Sequence, residues 1–144
     1  MPMSPSPIQV SLEINSSDRR LPTKVHFRNS SKDKVYLYKV NGFTEGRIEN
    51  NLFIIEGKNG RVPYKGLYFK RREPKLPGDF IELLPGGVFV ALVRLADVYD
   101  FPPEPGPGPG PGRYHARYEA VDPSPPEGPL REMRSNEVVF DLPS

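Results

Sequence analysis

Apolar and polar side chains alternate residue by residue along most of this chain, and this period constrains the fold more than any other feature. The segment IQVSLEI, Ile8–Ile14, puts its aliphatic side chains on one face and its polar side chains on the other. Successive side chains of a strand point to opposite faces, so this pattern indicates a half-buried strand. No segment keeps a helical period over three turns. The sequence therefore predicts an all-β fold.

Turn residues separate further strands about every ten positions. Residues 88–94 are apolar on both faces, which predicts a central strand. Short strands without intervening helices predict an immunoglobulin-like antiparallel β-sandwich of about seven to nine strands. The other predicted strands cover 24–29, 34–40, 52–56, the segment entered after Pro63, 79–84, 113–121 and 136–142, and 95–101 is predicted to form a helical turn.

Tyr114 lies late in the chain, two positions before Ala116. In immunoglobulin-like domains a tyrosine at such a place pins the last corner of the sandwich, and a cysteine follows it by two positions in antibody domains. We therefore predict a corner role for Tyr114. Ordinary core packing of its ring is the alternative.

The length of 144 residues suits a single domain with one core. We expect residues 1–7 to form a flexible N-terminal tail and residues 8–142 to form one β-sandwich domain. Within it, residues 102–112 are Pro or Gly at ten of eleven positions. Such a segment cannot form a ladder, so we predict a solvated Pro-Gly loop insertion there.

Composition excludes several classes of function. The chain has no Cys, which rules out disulfides and thiol chemistry. A net charge of +2 is too small to indicate nucleic-acid binding. No apolar run is long enough for a signal peptide or a membrane span. Two sequons, at Asn15 and Asn29, would accept glycans only in a secretory pathway.

Candidate catalytic residues are sparse. His26 and His115 are far apart in sequence, and each lies close to an arginine that disfavours metal binding, so we expect exposed strand histidines. The acidic residues within 97–104 lack the spacing of a calcium loop. The serines stand in no recognisable arrangement with His and Asp. We therefore predict no enzymatic activity and no cofactor or metal.

A compact run of positive charge lies in residues 65–75, where Glu73 is the sole acidic residue. It indicates either a solvated strand end that keeps an edge from pairing with other chains, or a surface for an acidic partner. Tyr68 shares a strand face with Lys70. The predicted partner-binding residues are Lys65, Tyr68, Lys70, Arg71 and Arg72.

Taken together, the segments PYKG (63–66) with Lys70 and Arg71 following, DF with PG after it (79–86) and LADVYDF (95–101) resemble the non-catalytic N-terminal domain, or prosegment, of deuterolysin-like zinc metalloproteases. That family includes the peptidyl-Lys endopeptidases of fungi and bacteria. The similarity runs over residues 8–142. Two departures stand out: the Pro-Gly loop is an insertion, and no pair of histidines four apart, with an intervening Glu, could hold a catalytic zinc.

The resemblance implies a protein-binding module that inhibits a zinc metalloendopeptidase or assists its folding, with the basic residues meeting an acidic specificity pocket. It also suggests secretion, whereas the absence of a signal in this sequence suggests the cytoplasm, so the compartment stays open. The alternative is a structural β-sandwich that forms homo-oligomers or recognises an unrelated protein or a glycan. We expect no nucleic-acid or membrane partner.

Overall fold

The computed structural model describes residues 4–42, 48, 50–58, 60–66, 78–101, 112–122 and 131–142. Within that part, all the regular elements are strands except the four-residue helical turn α1, Leu95–Val98. The predicted all-β, sandwich-like fold and the predicted helical turn are confirmed. The strands are β1 (Ser4–Pro5), β2 (Ile8–Ile14), β3 (Pro22–Asn29), β4 (Val35–Tyr38), β5 (Phe53–Gly57), β6 (Gly60–Arg61), β7 (Phe80–Leu83), β8 (Val88–Arg94), β9 (Gly112–Asp122), β10 (Arg131–Arg134) and β11 (Val138–Leu142).

The larger sheet is built around β9. Strand β5 pairs with one edge of β9, and β10 and β11 pair with successive stretches of the other edge, all antiparallel. Ser135 bridges the break between β10 and β11, because its N–H donates to the Tyr118 carbonyl (3.0 Å) and its hydroxyl accepts from the Tyr118 N–H (2.8 Å). Strand β6 extends the sheet beyond β5, and β1 extends it beyond β10.

The smaller sheet has the order β2-β3-β8 and is antiparallel throughout. A separate antiparallel pair, β4 with β7, completes the described strands. The prediction that strand 88–94 is central is wrong for the described part of the chain, where β8 pairs with β3 alone and is an edge strand. The side chains on the outer face of β8 are exposed, so burial of both faces does not explain why both are apolar.

Aromatic rings join the two sheets across the core. Phe27 of β3 meets the ring of Tyr118 of β9 edge-on, with centroids 5.4 Å apart, and Phe53 of β5 meets Tyr118 in the same way at 5.7 Å. The Tyr118 hydroxyl donates to the backbone carbonyl of Asn41 at 2.7 Å. Burial, with a contribution from the Asp122 carboxylate, raises the pKa of Tyr118 well above its usual range.

Tyr114 is buried in the same core. Its ring stacks on Phe140, with centroids 5.6 Å apart, and meets Phe101 edge-on at 5.3 Å. These contacts are those of core packing. The hydroxyl of Tyr118 bonds to a backbone carbonyl 77 residues away, which also differs from the bond of a corner tyrosine to backbone a few residues upstream.

Strand boundaries depart from the sequence-based expectation at two places. The short strand β6 precedes Pro63, and Tyr64 forms an isolated bridge with Tyr99, whereas the rest of the strand predicted after Pro63 lies outside the described residues. Proline has no N–H to donate to a ladder, which disfavours pairing at that point. The sequence does not predict strand β10, in which Met133 is the one buried residue. Its extended conformation is held by pairing with β9.

The segment expected as a tail makes ordered contacts from residue 4 onward. Strand β1 pairs in parallel with Arg131 and Glu132 of β10. The Ser6 hydroxyl donates to the carboxylate of buried Asp122. The Pro-Gly loop lies outside the described residues except for Gly112, which is the first residue of β9.

The two sequon asparagines differ in exposure. Asn15 is exposed, and its side-chain oxygen accepts from the backbone N–H of Ser17 at 3.1 Å. Asn29 is fully buried, and its side-chain nitrogen donates to the carbonyls of Asp33 (2.7 Å) and Leu83 (2.9 Å). The Asn29 amide is therefore a structural hydrogen-bonding group in the folded chain.

Candidate protein-binding surface

Of the predicted partner-binding residues, the structure describes Lys65. Its side chain is exposed, and its backbone N–H donates to the Val98 carbonyl at 2.8 Å, next to the helical turn α1. The other members of the set, Tyr68, Lys70, Arg71 and Arg72, lie outside the described residues. Their contribution to a binding surface stays a prediction.

A different surface, the outer face of the smaller sheet, carries an apolar stripe. Val88, Val90 and Leu92 of β8 are 54%, 43% and 54% exposed. Single exposed aliphatic residues are ordinary, whereas a contiguous exposed apolar patch with a polar border is typical of an interaction site. These three residues are named the β8 stripe.

The neighbours of the β8 stripe follow from the strand register. On β3, Arg28, His26 and Lys24 lie opposite Val88, Val90 and Leu92. Beyond them, β2 contributes polar and acidic side chains, so the outer face changes from apolar at the β8 edge to basic at β3 and mixed polar at β2. The β2 residues in these rows are Gln9, Ser11 and Glu13.

The backbone of the β8 stripe points away from β3. At the two ends of the β3–β8 ladder, the Asn29 N–H donates to the Gly87 carbonyl (3.0 Å) and the Leu95 N–H donates to the Leu21 carbonyl (3.2 Å). Hydrogen-bonded pairs of an antiparallel ladder recur at every second residue. The inward-facing residues of β8 therefore bond to β3, and the N–H and C=O groups of the stripe point to the open edge.

The two edges of the smaller sheet differ in their hydrogen bonding. On the β2 edge, the Asn136 side chain accepts from the Leu12 N–H (2.8 Å) and donates to the Leu12 carbonyl (3.4 Å). On the β8 edge, no described strand or side chain bonds to the stripe. The described structure thus has one capped edge and one unpaired edge in this sheet.

Three cations border the stripe. Lys24, Arg28 and Arg94 are exposed, and none of them makes an ion pair with a described carboxylate. The cation nearest to the open edge is Arg94, which follows the stripe on β8 itself. No described carboxylate lies within ion-pair distance of these three cations, although Glu13 is directly opposite Lys24 on β2 and Asp97 lines one pocket with Lys24 and Arg94.

The outer face of the larger sheet has the opposite character. Its basic side chains are paired with carboxylates of adjacent strands, as in Arg113 with Asp141 (3.0 Å) and Arg134 with Glu119 (3.1 Å). Such exposed pairs contribute little to stability, but they leave no free charge. The outer faces of the two sheets therefore differ in this respect, although cations elsewhere in the described chain, such as Arg20, Lys39 and Lys65, also make no ion pair with a described carboxylate.

A groove of about 940 Å³ adjoins the stripe at Val88. Strands β2 and β3 form its floor, and Glu132 and Arg134 of β10 form a wall. His26 lies on the floor, with its Nε2 atom 3.7 Å from the Glu13 carboxylate and without a hydrogen-bond partner among the described residues. The expectation that both histidines are exposed holds for His115 but only partly for His26, whose side chain is 32% exposed.

The described residues contain no group of three or more His, Asp or Glu placed to hold a metal ion. No helix within the described ranges is long and apolar enough to cross a membrane. The outer face of the smaller sheet offers a hydrogen-bonding strand edge, aliphatic surface and cations.

No protein-family model matches the chain, and a search of curated proteins finds no match. The resemblance to deuterolysin-like prosegments consequently rests on the sequence segments alone.

Proposed function

We propose that this chain is a non-enzymatic protein-binding module that contacts its partner through the β8 stripe and the cations beside it. The observation that carries this proposal is the outer edge of β8, which pairs with no described strand and bears three exposed aliphatic side chains on one face. Sandwich proteins usually protect an edge with charge, bulges or a covering segment, because an exposed apolar edge recruits other chains.

The electrostatics of the two outer faces support the same reading. Ion pairs cover the larger sheet, whereas Lys24, Arg28 and Arg94 on the smaller sheet have no described carboxylate partner. Complementary charge on a partner would steer its approach and fix its orientation. Apolar contacts at the stripe would supply the larger share of the affinity.

The sequence resemblance nominates a deuterolysin-like zinc metalloendopeptidase as the partner, inhibited by this chain or assisted in folding. In that complex the predicted basic residues, Lys65 and residues 70–72, would join the surface. The chain itself contributes no catalytic step, and its role is to occupy a surface of the protease.

Titration of such a protease with the purified chain tests the proposal, with calorimetry for binding and peptide hydrolysis for inhibition. We expect binding at micromolar concentration or tighter. Val90→Glu places a charge in the stripe and should weaken binding at least about fivefold, since truncating or disrupting a central contact costs more than about 1 kcal/mol.

Val139→Glu is the matched control, because Val139 is 51% exposed on β11 of the other outer face. It should leave binding unchanged. Circular dichroism of both variants would establish that they are folded. Equal loss of binding in the two variants would exclude the β8 stripe as the contact, and the absence of any binding would exclude this class of protease as the partner.

A further inference from the structure

We infer that β8 accepts an added strand from a partner protein, and that this strand is an extended acidic segment with aliphatic side chains beside the β8 stripe. The inference rests on the proposed protein-binding function and specifies the chemistry of the partner. The first ground is the backbone: the N–H and C=O groups of the stripe point to an edge that no described strand occupies. Strand addition uses such main-chain groups for affinity and alternate side chains for specificity.

The side-chain requirement follows from the geometry of pairing. In an added antiparallel strand, residues opposite the stripe project onto the same outer face, with Cβ atoms about 5 Å from those of the stripe. Aliphatic residues at those positions would cover Val90 and its two neighbours from the side. The surface that is now 43% to 54% exposed would then become an apolar ladder across two chains.

The charge requirement follows from the cations at the ends of the stripe. Arg94 lies on β8 and would be directly adjacent to an added strand. Lys24 and Arg28 lie one strand further away, about 10 Å from the added backbone, which extended Arg and Glu side chains can span. Carboxylates flanking the aliphatic positions would therefore meet cations that have no described ion-pair partner.

A second copy of this chain fits the edge less well. Antiparallel pairing of two β8 strands about Val90 would place Val88 of each copy opposite Leu92 of the other. It would also place Arg94 of each copy at the end of the ladder where Arg28 of the other copy lies. Six cations would then border one surface, against one Asp97 carboxylate from each copy at the ends of the ladder, and the excess of like charge disfavours association.

The experiment uses the full chain labelled with ¹⁵N and an acetylated, amidated heptapeptide of sequence ETITITE. Its outward-facing positions are acidic at both ends and aliphatic in the middle, and its side-chain order is the same in either direction. The first measurement is amide hydrogen exchange in the free protein. Amides of Val88, Val90 and Leu92 should exchange quickly, and those of Phe89, Ala91 and Val93 should be protected.

Addition of the peptide should shift the resonances of the stripe amides and slow their exchange. The charge-reversed peptide KTITITK should bind at least about tenfold more weakly at low salt, and the difference should shrink in 1 M NaCl, where the Debye length falls to about 3 Å. Methylation of the peptide nitrogens of the isoleucines blocks antiparallel pairing, and methylation of those of the threonines blocks parallel pairing. The first of these should abolish binding if the strand adds in antiparallel orientation, and the second should do so if it adds in parallel.

Arg94→Glu should weaken ETITITE at least about tenfold and strengthen KTITITK, because it reverses the charge next to the added strand. Arg113→Glu, on the outer face of the larger sheet, is the charge-matched control and should alter neither affinity. Both variants should keep the dispersion of the wild-type spectrum, which shows that they are folded.

Several results would overturn the inference. Protected Val88, Val90 and Leu92 amides in the monomeric free protein would show that its own chain covers the edge. Equal binding of the parent and both methylated peptides would show face binding without strand addition, which leaves the proposed function standing. Equal affinity for KTITITK would remove the acidic class, and a concentration-dependent dimer lost in Val90→Glu would make a second copy the occupant. If no peptide binds at millimolar concentration, strand addition is excluded, and the protease titration decides the proposed function separately.

Discussion

Val90 and Val25 provide a matched pair that tests whether the β8 stripe is exposed in the folded chain. The two valines lie on adjacent strands of the smaller sheet but face opposite sides. Val90 is 43% exposed on the outer face, whereas Val25 is fully buried between Leu12 and Ala91. Replacing each with threonine changes one methyl group to a hydroxyl and keeps the β-branched shape that strands favour.

The expected costs differ because only one hydroxyl would be buried. At Val25 the hydroxyl enters an apolar core, and burying a hydroxyl without a good partner costs about 1–3 kcal/mol in protein mutational data. At Val90 the hydroxyl can remain in water, so the change in the free energy of unfolding should stay within about 0.5 kcal/mol. A difference of at least about 1 kcal/mol between the two variants is therefore expected.

Urea unfolding monitored by far-ultraviolet circular dichroism measures both costs. The slope of the free energy against urea should be the same in the wild type and the two variants, so that the midpoints report stability alone. A loss of stability in Val90→Thr as large as that in Val25→Thr would refute the reasoning. It would mean that the stripe is covered in the folded state and that the proposed binding surface does not exist.

Three further predictions concern the core and can be measured by the same unfolding assay. The pKa of Tyr118 is raised above 10.0 in the folded chain, so the unfolded chain loses this proton first as the pH rises above 10. The free energy of unfolding should therefore fall by about 1.4 kcal/mol per pH unit from this group. Tyr118→Phe should remove that contribution, and an unchanged dependence of the free energy of unfolding on pH would contradict the prediction. Gly57→Ala would place Cβ 2.7 Å from the packed ring of Tyr114 and should lower the free energy of unfolding by about 1–3 kcal/mol. Gly78→Ala, with open space around the added Cβ, should be near neutral. Equal losses in the two variants would count against the contact with Tyr114. Asn29→Ala removes two hydrogen bonds to backbone carbonyls and should cost about 2 kcal/mol, so a wild-type midpoint would show that water replaces the amide.

Strands with clean alternation could be predicted from the sequence almost to the residue. Strand β2 spans the predicted residues 8–14, and β9 exceeds its predicted range by one residue at each end. In these strands one face is buried and the other is not, so the hydrophobic pattern is itself the structural signal. Strand β10 lacks that pattern, and its conformation comes from the ladder with β9, which the local sequence does not encode.

The position of β8 in its sheet shows a different limit. A strand with apolar residues on both faces can have both faces covered by its own protein, or can have one face that contacts another molecule. Local sequence does not separate these two cases, because the identity of the neighbouring strand is a long-range property. The strand that the sequence places wrongly at the centre of its sheet is therefore the same strand that carries the candidate site.

The candidate site could be predicted only where its charges are consecutive in sequence. The basic run that begins at Lys65 is visible as a cluster without any fold. In contrast, Lys24, Arg28 and Arg94 come together only through the register of β3 with β8, which brings residues about seventy positions apart into adjacent strands. Charge patterning along the chain cannot find such a group.

The inferred strand addition gives the cations beside the β8 stripe a second effect, because they would also oppose self-association at this edge. The sequence offers protection of an edge and binding of an acidic partner as alternatives for the basic run in residues 65–75, whereas at the β8 edge we expect both effects to act together. Repulsion between like charges opposes a second copy, and the same charges attract a carboxylate-bearing strand. Because both effects are electrostatic, salt should move them in opposite directions. Between 0.1 M and 1 M NaCl the Debye length falls from about 10 Å to about 3 Å, so binding of the ETITITE peptide should weaken while self-association measured by sedimentation should rise. If both fell together, or neither changed, the unpaired cations would not be what controls access to the β8 edge.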